Sequence, residues 1–162
     1  MERVDKGALL RAFIEQLTAE LARAKAQAED AAQGATHAEN RAESIKDMRS
    51  TEASYVARGQ AERTAKLEEA LVHFSRLELR EFGADDGVAL TAVIDLGHRG
   101  TRSRYFLVPL AGGERIEHEG QAIQTLTPSS PLGRAVLGLR LGDEAEVESP
   151  QGTRVYELLA LA

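Results

Sequence analysis

The chain has no cysteine and no tryptophan in 162 residues. Disulfides, thiolate metal centres and thiol nucleophiles are therefore excluded. Histidine is scarce, at positions 37, 73, 98 and 118 only. No two stand three or four apart, so a structural zinc is not expected, and each reads as a solvated surface residue. No run reaches the roughly 18 apolar residues of a membrane span. The polar start Met1-Glu2-Arg3-Val4-Asp5-Lys6 does not read as a signal peptide. Neither G-x-x-x-x-G-K-S/T nor a strand-borne G-x-G-x-x-G occurs, so nucleotide binding has no support. G-x-S-x-G is missing as well, and with it support for nucleophilic hydrolysis. Hydrophobic residues make up 43 % of the chain and charged residues 28 %, a balance that folds. The net charge of −6 argues against independent DNA binding, because phosphate attraction needs a basic face. A soluble, cytoplasmic, mildly acidic protein without a stably bound cofactor is expected.

Proline and glycine are unevenly placed. All four prolines (Pro109, Pro128, Pro131, Pro150) and eleven of the fourteen glycines follow residue 78. The alanine-rich first part is thus read as helix and the second as short strands between turns. The expected domains are 1–78 and 79–162, and the expected class is α+β. It comprises an N-terminal antiparallel coiled-coil hairpin followed by a small antiparallel sheet with one short helix.

In the first part Leu10, Phe13, Leu17, Leu21, Ala24, Ala28 and Ala31 recur at helical spacing, and Thr64, Leu67, Leu71, Phe74 and Leu77 do so again. Gly34 near the midpoint is expected to weaken or end the first helix, which favours an intramolecular hairpin over a parallel dimer. The seam is alanine-rich near the turn. At the other end Phe13, Leu17, Phe74 and Leu77 are expected to anchor it. In the second part, strands are expected at 77–82, 88–96, 102–110, 123–126, 144–148 and 153–161. Ser130 is a good N-cap for a helix over 130–137, with Pro131 at its first position and Gly138 ending it. Pro150-Gln151-Gly152 reads as a hairpin turn.

One charge cluster lies at the expected hairpin tip: Glu39, Arg41, Glu43, Lys46, Asp47, Arg49 and Glu52. Glu39, Glu43 and Asp47 are spaced by four, so successive pairs share a helical face. Such carboxylates suit Mg²⁺, which takes oxygen ligands and keeps waters. By composition alone, a solvated interhelical loop with its own neutralising bases explains the cluster better.

Three elements at the end of the chain shift that weighing. Ser130-Pro131-Leu132-Gly133-Arg134-Ala135-Val136-Leu137-Gly138 is followed by the acidic Gly142-Asp143-Glu144-Ala145-Glu146-Val147, and then by Ser149-Pro150-Gln151-Gly152. Their order and spacing over about thirty residues resemble the C-terminal end of the Gre transcription factors (GreA/GreB). The resemblance implies an FKBP-like C-terminal domain docked on bacterial RNA polymerase at its secondary channel, with the coiled coil entering the channel. It also implies that tip acids help hold a Mg²⁺, so that the polymerase's own active site cleaves backtracked RNA. The factor itself is then no enzyme. The family's tip string, G-D-L-K/S-E-N-A-E-Y, is absent here. Its nearest counterpart is the stretch Lys46-Asp47-Met48-Arg49-Ser50-Thr51-Glu52-Ala53-Ser54-Tyr55. Asp47 is the first choice for the ion-holding acid, Glu43 its helper by helical spacing, and Glu52 and Glu39 the alternatives. Lys46 and Arg49 point instead to a relative that occupies the channel without cleavage. For docking, Ser130, Pro131, Leu132 and Arg134 are the candidates, although Leu132 also suits packing on the sheet. Prolyl isomerase activity is not expected, because Phe82, Tyr105, Phe106 and Tyr156 are too few to line a proline pocket and fill a core. A monomer is expected.

Overall fold

The computed structural model describes residues 4–39, 46–83 and 85–162, with side chains described over 4–31, 54–83 and 85–162. The order is α1 (Lys6–Glu39), α2 (Lys46–Phe74), β1 (Val93–His98), β2 (Thr101–Leu107), β3 (Arg115–His118), β4 (Gln121–Leu126), α3 (Pro131–Val136), β5 (Glu144–Ser149) and β6 (Gly152–Leu161). Contacts divide the chain into two compact units. One is Ile14–Val72; the other joins Met1–Phe13 to His73–Ala162.

The unit Ile14–Val72 is a pair of helices. Leu17, Leu67 and Ala70 are buried in it, as the helical spacing of the apolar residues requires. Ala28 and Ala31, late in α1, share a cavity of about 620 Å³ with Val56 and Ala57, early in α2. That arrangement is antiparallel. Ion pairs tie the helices alongside, Lys25 with Glu68 at 2.6 Å and Glu20 with Arg63. Gly34 does not end α1, which runs on to Glu39. A single glycine costs a helix about 1 kcal/mol, too little to stop one held along its length.

The other unit is built on one six-stranded sheet, in the order β3-β4-β2-β1-β6-β5. Tight hairpins join β1 to β2 and β3 to β4. Each turn pairs a non-glycine residue at positive φ with a glycine: Arg99 (48°) with Gly100 (78°), and Glu119 (51°) with Gly120 (74°). Two consecutive left-handed residues match the strand twist. One sheet face packs a core of Val88, Ala92, Ile94, Leu96, Leu107, Leu126, Ala145 and Leu158 against Val136 of α3. The same unit buries Leu9, Leu10, Phe13 and Phe74, and the rings of Phe13 and Phe74 meet edge to face at 4.8 Å.

The sheet departs from expectation in four places. It is mixed, since β2 and β4 run parallel, Arg104 opposite Ile123 through Leu107 opposite Leu126. The added strand is β3, four residues with a single buried side chain, Ile116, and so without apolar alternation. Residues 77–82 form no strand. At Arg80 the backbone groups are met by side chains: its N–H donates to Thr91 Oγ1 at 3.0 Å, and its carbonyl accepts from Lys6 Nζ. The strand expected from Val88 begins only at Val93, because Thr91 holds a φ of 69° and breaks the extended run.

Candidate functional site

Two regions of the sheet unit carry chemistry. The first is α3. The Ser130 hydroxyl accepts from Gly133 N–H at 3.0 Å and donates to the Thr127 carbonyl at 2.8 Å. It caps the helix and fastens it to the preceding turn. Pro131 occupies the first turn, where no N–H is needed. Gly133 is required by space, as a Cβ there would stand 1.9 Å from the Thr127 carbonyl oxygen. The helix ends at Leu137, and Gly138 follows at φ 79°, the left-handed position that releases the chain. Leu132 packs partly against the core. Pro131 and Arg134 are exposed, and the Arg134 guanidinium donates to the Ser129 carbonyl. Leu137 and Leu141 are exposed beside them. Hydrogen bonds from Val88 N to Leu139 O and from Gly138 N to Val88 O tie the segment before β1 to the end of α3.

The second region is a polar groove of about 890 Å³ over β1–β4, lined by Asp95, Arg102, Arg104, Arg115, Gln121 and Gln124 among others. The Asp95 side chain is 1 % exposed. Arg104 embraces it with Nε at 2.7 Å from one oxygen and Nη2 at 2.9 Å from the other. Arg102 donates Nε at 3.0 Å and an Nη to the second oxygen. Burial pushes the Asp95 pKa up, but the hydrogen bonds and charges of Arg104 and Arg102 outweigh it and hold the carboxyl below its ordinary value. Sequence reading missed this cluster. Its signals were an aspartate inside the apolar run Val93-Ile94-Asp95-Leu96, which must find partners if buried, and the alternate arginines at 102 and 104.

Two histidines differ from their expected solvation. His98 Nδ1 lies 2.7 Å from the Val155 carbonyl, and its ring stands 4.9 Å from that of Tyr156. His118 is 12 % exposed, and its Nε2 is buried 4.0 Å from Glu119 Oε1, without a hydrogen-bond partner among the described residues. His73 is exposed. Phe106 is fully buried, and Phe82, Tyr105 and Tyr156 pack on the core. Glu43 lies outside the described residues, and so do the side chains of Glu39, Asp47 and Glu52. Among the described residues, no helix is long and apolar enough to cross a membrane.

Comparison with known proteins agrees with this C-terminal architecture. Residues 85–162 match the family model of the transcription elongation factor GreA/GreB C-terminal domain. The chain is 31 % identical over 101 residues to transcription elongation factor GreA of Xylella fastidiosa (strain M12), covering 61 % of this chain and 60 % of that one. It is 26 % identical over 87 residues to the transcription inhibitor protein Gfh1 of Thermus aquaticus, covering 54 % of each. Among solved structures, Gfh1 of Thermus aquaticus matches with a TM-score of 0.38 and 22 % identity, over 93 % of this chain and 94 % of that one. GreA/GreB of Nitrosomonas europaea matches with a TM-score of 0.37 and 17 % identity, over 68 % and 92 %. Residues 85–162 thus carry the C-terminal domain of the transcription elongation factor GreA/GreB family.

Proposed function

We propose that this chain is a transcription factor that binds bacterial RNA polymerase at its secondary channel and stimulates cleavage of backtracked RNA by the polymerase's own active site. The C-terminal domain match over 85–162, with α3 capped by Ser130, carries the reading. In it, residues 1–78 are the arm that enters the channel and residues 79–162 the domain that docks. Pro131, Leu132 and Arg134, held by the Ser130 cap, meet the polymerase. Asp47 with Glu43, or Glu52 and Glu39 in their place, lend oxygen ligands to a Mg²⁺ that the polymerase shares. The chemistry supplied is activation of a water at the RNA phosphodiester. The factor acts as a cytoplasmic monomer, makes no contact of its own with DNA and meets RNA only at its 3′ end.

A second reading, channel occupancy without cleavage, is favoured by Lys46 and Arg49, which lower the negative potential of the tip, and by the lack of the family's acidic string. One relative, Gfh1, is by name a transcription inhibitor.

The test is RNA shortening by stalled, backtracked polymerase at fixed Mg²⁺, with and without the protein. Stimulation lost in Asp47→Ala/Glu43→Ala while binding persists supports the first reading. No stimulation, with the protein displacing a cleavage-competent Gre factor, supports the second. Absence of both overturns the polymerase assignment.

A further inference from the structure

We infer that the groove over β1–β4 is a docking site for an acidic, extended polypeptide segment of a partner protein. One buried carboxylate needs one guanidinium for neutrality. Asp95 holds two, Arg102 and Arg104, so the cluster keeps a surplus positive charge. Arg104 is 14 % exposed and serves Asp95 and Gln121 Oε1. Arg102 is 54 % exposed and spends Nε and one Nη on Asp95, leaving its outer Nη toward the groove. Asp95 therefore fixes the plane of a guanidinium whose outer edge faces solvent. A held fork is the arrangement that binds carboxylates bidentately at little further ordering cost. Arg115, 74 % exposed, adds a third cation at the rim, where Glu117 pairs with it at 2.9 Å.

Three observations favour a polypeptide over a nucleic acid. The lining alternates arginines with Ser103, Gln121 and Gln124, uncharged groups that match peptide N–H and C=O as well as side chains. The groove reaches β3, one of the two edge strands of the sheet, whose outward backbone groups can pair with an added strand. And three arginines, offset by Asp95 and Glu117 on a chain of net charge −6, form no track for a run of phosphates.

The test is anisotropy titration of the full chain with a labelled peptide of alternating glutamate and valine, beside a neutral glutamine counterpart and a single-stranded oligodeoxynucleotide of equal charge. Saturable binding of the acidic peptide alone is expected at sub-millimolar concentration. Arg102→Gln with Arg115→Gln is expected to weaken it about tenfold or more, with Asp95 still held by Arg104 and the fold kept as read by circular dichroism. Arg102→Lys retains the charge without the fork and is expected to recover only part of the affinity. No saturable binding, binding indifferent to these substitutions, or oligonucleotide binding as tight as the peptide's would each overturn the assignment. None of these readouts involves RNA polymerase, so this inference and the proposed function fail separately.

Discussion

Asp95 sits among the apolar Val93, Ile94 and Leu96 of β1, and two arginines make its burial tolerable. Replacing it by asparagine removes the charge both guanidiniums were placed to meet. Asp95→Asn is expected to cost about 3 kcal/mol of unfolding free energy, read by urea denaturation. The pH dependence has a definite sign. The folded carboxyl titrates below its ordinary value. Its stabilisation is therefore complete above the unfolded carboxylate range of about pH 4 and is lost as pH falls through the lower, folded value. Urea midpoints of the parent should fall steeply below about pH 4, and those of Asp95→Asn should fall less. Gly133 is constrained by space instead of charge. Gly133→Ala must push α3 off the Thr127 carbonyl, at a cost on the order of 3 kcal/mol. Ser130→Ala removes only the cap and should cost about 1 kcal/mol.

Among the elements, the helix pair separates burial from surface charge. Leu17 is fully buried, and Leu17→Ala is expected to cost about 3 kcal/mol. Arg63, whose partner is Glu20, lies at the surface, and Arg63→Ala should change stability by no more than about 0.5 kcal/mol. Melting curves at low and high salt check both, since only the ion-pair contribution is screened. The same contrast explains what was legible in the sequence. The apolar helical periodicity, the Ser130 cap and the hairpin turn at Gly152 are local signals, and each appears where expected. Strand β3 and the parallel β2–β4 pairing depend on partners distant in sequence, and no alternation announces them. The run from Val88 looked like one strand because its composition is β-prone, yet the left-handed Thr91 divides it. At the Asp95 cluster, the sequence shows a charge out of place but not which arginines turn toward it.

At the scale of the whole molecule, the N-terminal residues share a unit with the sheet. Lys6 is 5 % exposed, its Nζ bonded to the Arg80 carbonyl and 4.8 Å from the centre of the Phe82 ring. Burial lowers its pKa, against an opposing pull from Glu81. A fragment beginning at residue 79 loses this lysine along with Leu9, Phe13 and Phe74. It is expected to unfold at a lower temperature than the full chain, as followed by circular dichroism. The position of β6 has a consequence of another kind. The last strand in sequence lies inside the sheet, between β1 and β5, and Ala162 exchanges two hydrogen bonds with Val93. Until that strand arrives, β1 and the inner side of β5 stand open in addition to the two outer edges at β3 and β5, and an unpaired ladder is where chains stick to one another. Trimming the five residues from Leu158 would take the partners from Ile94, Asp95 and Leu96 and leave β1 in that state permanently, with β5 still paired to residues 152–157. Such a chain should precipitate before it loses its helices, so its first symptom would be turbidity on expression and not a shift in its melting curve.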